Sequence, residues 1–143
     1  MKRYVLSLLL LAALPGCASD LDHVVDDRVV ERAGVDPALS QLRGVLDRAE
    51  NVLDLLAVTS THYEYRGNME SGLFWSRLLG EKVYYVSITG VRVYSDDRVE
   101  VIGDGFGDGT FVIDVLRCAN ESDASLAADL LMSLRLEAVG REE

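Results

Sequence analysis

Between Tyr84 and Val101 apolar residues recur at alternate positions, and turn-forming residues fall where such runs have to fold back on each other. A period of two sends successive side chains to opposite faces of a strand, so this stretch is committed to a sheet with one dry face. A two-residue turn at Thr89-Gly90 pairs Ile88 with Val91 and Val86 with Val93. A three-residue loop at Ser95-Asp96-Asp97 pairs Val93 with Val99 and Val91 with Val101. After the glycine-rich loop, the same alternation sets Phe111, Ile113 and Val115 beside Val99 and Val101. The dry face then reads Tyr84, Val86, Ile88, Val91, Val93, Val99, Val101, Phe111, Ile113 and Val115. The opposite face receives Arg92 across from Glu100 and Arg98 across from Asp114, two opposite-charge pairs that follow from a register chosen on apolar grounds. The expectation is a four-stranded antiparallel meander with one wet face. A continuous strand with a bulge at Gly90 is the alternative to the Thr89-Gly90 hairpin.

Helical spacing flanks this region. Asp36-Pro37 offers an N-cap carboxylate followed by proline at the first helical position. Beyond it Leu42, Val45, Leu46, Ala49, Val52, Leu53 and Leu56 recur every three or four residues, which predicts an amphipathic helix of about 20 residues. Asn68 to Gly80 suggests a shorter helix containing Leu73, Phe74, Arg77 and Leu78, with Gly80 as its stop. Ser122 can cap a last helix that carries Leu126, Ala127, Leu130, Leu131 and Leu134. The fold class expected is therefore α+β, with the meander covered on one face by N- and C-terminal helices.

The chain has 143 residues and a formal charge of −10, from 24 acidic against 14 basic side chains. One domain is the natural reading of that length. So acidic a chain is a poor ligand for a phosphate backbone, whose binding relies on clustered Lys and Arg, and no nucleic-acid partner is expected.

Catalytic and ligand-binding motifs are weak. The loop Gly103-Asp104-Gly105-Phe106-Gly107-Asp108-Gly109 offers Asp104 and Asp108 to a hard cation, but lacks the acidic spacing of an EF-hand and the G-x-G-x-x-G of a dinucleotide site. Glycines supplying positive φ in a hairpin loop explain it adequately. His62-Tyr63-Glu64-Tyr65, if extended, puts His62 and Glu64 on one face and both tyrosines on the other. With two histidines in the chain, further metal ligands are lacking there, and a polar strand edge is preferred. No G-x-S-x-G or H-E-x-x-H occurs. Neither an enzymatic activity nor a cofactor is expected. Trp75, Tyr85 and Tyr94 are the exposed aromatics expected to meet a protein partner, because such side chains offer rigid area with a polar handle. Cys118 is expected to be buried at a strand end.

The N-terminus carries the most specific signal. Lys2 and Arg3 precede an apolar run from Tyr4 to Leu14, too short for a spanning helix and suited to the hydrophobic part of a secretory signal. Leu14-Pro15-Gly16-Cys17 follows. Together these resemble the signal and lipobox of bacterial lipoproteins, in which a small residue precedes a cysteine that is diacylated and becomes the mature N-terminus. Pro15 stands where that pattern prefers Ala, Ser or Thr. Cleavage after Ala18 by an ordinary signal peptidase is the competing reading, and it would discard Cys17.

The resemblance implies residues 1–16 as signal peptide and Cys17 as the lipidated residue, with two or three acyl chains giving a durable anchor. Ala18 rather than Asp after the cysteine implies the outer membrane, with the domain in the periplasm. Residues 17–35 read as an acidic tether, with a short helix as the alternative; His23 is solvated in it, residues 36–138 form the α+β domain, and 139–143 are a tail. The function expected is that of a lipid-anchored envelope protein with a non-catalytic, protein-binding or accessory role. The alternative is a small-ligand or cation-binding envelope module using Asp104 and Asp108.

Overall fold

The computed structural model describes residues 19, 21, 23–68, 78–104 and 109–141. The chain is α+β, with helices at both ends of its strands. Helices α1 (Val29–Ala33) and α2 (Val35–Arg48) come first, followed by strands β1 (Val52–Val58), β2 (His62–Asn68) and β3 (Leu78–Tyr84). A 3-10 turn at Tyr85–Ser87 leads into β4 (Ile88–Val93), β5 (Arg98–Asp104) and β6 (Thr110–Arg117), and α3 (Glu121–Gly140) closes the chain. The described strands form two antiparallel three-stranded sheets, β1-β2-β3 and β4-β5-β6, rather than a four-stranded meander.

The β4–β5 hairpin has the expected register: Val93 pairs with Val99, Val91 with Val101 and Arg92 with Glu100. No hairpin forms at Thr89-Gly90; β4 runs through it with a register shift between Ile88 and Gly90, the bulge alternative. Before β4, the 3-10 turn breaks the alternation because its residues rotate by a third of a turn rather than half. Tyr84 and Val86 consequently face solvent, and Tyr85 turns into the core.

Strand β6 departs from expectation in parity. A register shift between Val101 and Ile102 sets Asp114 opposite Val101 and Leu116 opposite Val99. Leu116 and Asp114 therefore share the dry face with the valines, and Phe111 is 52% exposed. Arg98 lies opposite Arg117 instead of Asp114, and reaches Glu100 at 3.8 Å and Asp96 at 3.7 Å.

Helix α2 ends at Arg48, well short of the apolar spacing that runs on to Leu56. Ala49 is extended (φ −67°, ψ 134°), and the Glu50 N–H donates to the carbonyl of Arg117 at 2.7 Å. Pairing with β2 overrides a weak helical preference, and Val52–Val58 becomes a strand. At the other end, α2 starts at Val35 behind Gly34 (φ 90°), so Asp36 is a first-turn acid favoured by the helix dipole rather than a cap. The expected helix over 68–80 fails at both ends, since Asn68 closes β2 and Leu78 opens β3; residues 69–77 lie outside the described chain. Asn120, not Ser122, caps α3, its Oδ1 accepting from the Asp123 N–H at 2.9 Å.

One core joins the two sheets to α2 and α3. It includes Leu42, Val45 and Leu46 of α2, Val99 and Val101 of β5, and Leu130, Leu131 and Leu134 of α3. Arg48 clamps the two helices through both carboxylate oxygens of Asp123, at 2.9 and 2.8 Å. This hydrogen-bonded pair holds the Asp123 carboxyl below its ordinary range.

The later part of the expected tether is docked rather than solvated. Val30 is buried, and its N–H donates to Ser133 Oγ at 2.7 Å. Asp129 Oδ1 accepts from the Asp26 N–H and lies 2.8 Å from His23 Nε2. Val25 and Val29 pack against the core. These apolar contacts supply the burial that sparse valines do not reveal by spacing alone.

Candidate functional site

The polar centre of the molecule lies between the sheets. Strand β2 is extended as expected, with Tyr63 and Tyr65 buried on one face and His62 and Glu64 partly exposed on the other. It is a central strand between β1 and β3, not an edge. From the second sheet, Asp114 of β6 enters the same interior. Tyr63 Oη donates to Asp114 Oδ2 and Tyr65 Oη to Oδ1, each at 2.6 Å, and the Val115 N–H donates to Oδ1 at 2.8 Å. The tyrosine rings stack with centroids 6.3 Å apart and an interplanar angle of 6°.

Burial raises the Asp114 carboxyl above its ordinary range, outweighing the three hydrogen bonds that favour the anion. Burial, and then the neighbouring Asp114, push both tyrosine hydroxyls up, so they remain protonated donors. Glu81, opposite Tyr65 on β3, is raised for the same two reasons. Both oxygens of Asp114 are occupied and its side chain is sealed from solvent. The arrangement ties sheet to sheet and presents no free base.

Asn51 makes a second tie. Its Nδ2 donates to the Val115 carbonyl at 2.7 Å, and its Oδ1 accepts from the Arg117 N–H at 2.8 Å. The side-chain amide thus takes the place of a backbone peptide along the end of β6. Gly67 is required beneath it, because a Cβ there would run into the Asn51 carbonyl and lie 2.8 Å from the Tyr65 ring.

The residues expected to meet a partner are dispersed. Tyr85 is fully buried, which removes it as a surface aromatic; the 3-10 turn points it inward, its ring centroid 6.3 Å from that of Tyr63. Tyr94 is half-buried, its hydroxyl donating to Glu100 at 2.8 Å under the Arg98 guanidinium, 4.2 Å from the ring centroid. Trp75, Cys17 and Asp108 lie outside the described residues. Asp104 is exposed at the end of β5. Cys118 is buried as expected, and burial pushes its thiol up to about 12. His23 is partly buried against Asp129, not solvated.

Sequence reading missed the exposed apolar residues Phe111 and Val112 on β6 and Leu53 and Leu56 on β1. It also missed Asp114, although a lone carboxylate inside Phe111-Val112-Ile113-Asp114-Val115-Leu116 is itself a signal of a buried polar contact. Among the described residues no grouping of three or more His, Cys, Asp or Glu is arranged to hold a metal, and no helix is long and apolar enough to cross a membrane. Comparison with protein-family models, curated proteins and solved structures returned no match.

Proposed function

We propose that the chain is a lipid-anchored protein of the bacterial cell envelope whose folded domain has a non-catalytic, protein-binding or accessory role. The observation that carries this reading is the ordered series of Lys2 and Arg3, the apolar run to Leu14, and Gly16-Cys17. Acylation of Cys17 with two or three chains would hold the protein durably in a bilayer, the outer membrane being the site implied by Ala18. The closed Asp114–tyrosine cluster supports a non-catalytic role, since its polar groups are spent on joining the sheets. Phe111 and Val112 support a protein partner by offering exposed apolar area on a strand.

Intact mass measurement of the protein extracted from the membrane fraction tests the anchor. The expected species begins at Cys17 and is heavier than its polypeptide by the acyl chains; Cys17→Ser leaves the protein unlipidated and out of that fraction. A mature protein that begins after Cys17, or that has the mass of bare polypeptide, overturns the reading. In-cell crosslinking from position 109, exposed beside Phe111 and Val112, with the captured neighbour identified by mass, tests the partner. Capture that survives Phe111→Ser and Val112→Ser together excludes this patch as the contact.

A further inference from the structure

We infer that the domain stands on its membrane through the end that holds the β4–β5 turn, with the β5–β6 end and its exposed apolar residues directed away from the bilayer. The inference rests on Cys17 as the lipid-bearing residue and adds to it a fixed orientation. Just beyond that cysteine the backbone is hydrogen-bonded to the fold. The Ser19 N–H donates to Ser95 Oγ at 3.1 Å, the Ser95 N–H donates to the Ser19 carbonyl at 3.0 Å, and the Leu21 N–H donates to the Val93 carbonyl at 2.8 Å. Ser19 and Leu21 thus extend the outer edge of β4, and Leu21 packs against the core. The following contacts of His23 and Asp26 with Asp129, and of Val30 with Ser133, leave no slack between this edge and α1.

Covalent geometry does the rest. A chain spans at most about 3.3–3.6 Å per residue, so a separation of two residues in sequence limits the reach from Ser19 to the acylated residue to about 7 Å. The headgroup layer on each side of a bilayer is itself about 5–7 Å thick. An acyl anchor at Cys17 therefore brings Ser95 and Asp96 to the headgroup surface. Neighbouring elements share that end: the Cys118 N–H donates to the Asp97 carbonyl at 2.9 Å, so α3 begins there. Strand β5, seven residues long, carries the chain from Arg98 to Asp104 at the other end. At about 3.3 Å per strand residue this separates the two ends by roughly 20 Å. Gly109, Phe111 and Val112 belong to the far end, where a protein in the aqueous space can reach them.

The test places a fluorescent amino acid at Asp96 or at Gly109, both exposed, in the acylated protein reconstituted into phosphatidylcholine vesicles with a spin-labelled headgroup lipid. Quenching is expected to be several-fold stronger at position 96 than at 109. Equal quenching at the two positions, or stronger quenching at 109, overturns the orientation. The intact mass of the same preparation reads acylation separately. Should the cell's own protein lack lipid, the same two probes on protein joined through Cys17 to a maleimide lipid still decide the orientation, so failure of the anchor and failure of the geometry are told apart.

Discussion

The hydroxyl of Tyr63, on the central strand of one sheet, donates a 2.6 Å hydrogen bond to a carboxylate oxygen of Asp114, on the last strand of the other. Hydrogen bonds to charged groups contribute about 1.5–3 kcal/mol, and a buried acceptor deprived of its donor adds a desolvation penalty. Tyr63→Phe is therefore expected to lower stability by about 2–3 kcal/mol, read from the shift in urea midpoint at constant slope. An unchanged midpoint would show that Asp114 does not depend on this donor.

The carboxylates also set how stability varies with pH. Asp114 and Glu81 hold their protons more tightly in the folded chain than in the unfolded one, because loss of water disfavours both charges and the partly buried Glu81 also faces the charge of Asp114. Between the ordinary carboxylate range and the raised folded values the folded state holds more protons than the unfolded one, so stability falls as pH rises through that window and then levels off. Asp123, lowered by Arg48, acts in the opposite sense: its contribution is full above the ordinary carboxylate value and is lost as pH falls through its folded value. Urea midpoints across mildly acidic pH should decline less steeply in Glu81→Gln, and acid destabilisation should weaken in Asp123→Asn.

Asn51 and Gly67 form one locking unit, and each is expected to be intolerant in its own way. Asn51→Ala strands the carbonyl of Val115 and the N–H of Arg117, at about 1–3 kcal/mol for each group left without a partner. Gly67→Ala drives a methyl group against backbone that cannot give way, so its cost should reach or exceed the roughly 1–3 kcal/mol of overpacked cores. Thermal melting of the two variants checks both. Gly67→Ala with the parent melting temperature would contradict the packing.

Burial of Cys118 gives a chemical prediction. With its thiol pushed up to about 12, little thiolate exists at pH 8, and apolar neighbours deny reagents access. Iodoacetamide should leave it unmodified in folded protein and alkylate it in denaturant, as counted by mass. Labelling in the folded state at the denatured rate would place the residue at the surface.

Calcium offers a direct check on the ligand-binding alternative. Asp104 ends β5 as an exposed side chain, with no cluster of carboxylates around it among the described residues. Added calcium is expected to leave the melting temperature unchanged, because only a ligand that prefers the native state raises it. A rise that is lost in Asp104→Asn would revive the cation-binding module.

Local patterns were legible where turn and alternation agreed. The three-residue loop at 95–97 defined the pairing of Val93 with Val99 and of Val91 with Val101, because a slip by one residue would send every valine to water. The alternation became misleading where the backbone departs from it: the 3-10 turn at Tyr85 and the register shifts at Gly90 and Ile113 each change which face a residue occupies. Strand β1 was hidden because Val52, Leu53 and Leu56 also fit a helical stripe, and only pairing with distant partners decides between the two. The Asp114 cluster was illegible for a related reason. Its tyrosines lie about fifty residues earlier in the chain, and no local period links β2 to β6.

The irregular edge strand has a consequence for life at high density. Strand β1 lies at the margin of its sheet, with Leu53 and Leu56 exposed, and its register with β2 slips twice, between Val52 and Asp54 and between Leu55 and Ala57. A straight greasy margin would template ladders between copies, whereas a doubly kinked one cannot keep in step with a second for more than a few residues. Crowded side by side in a single layer, these molecules would jostle without zipping together.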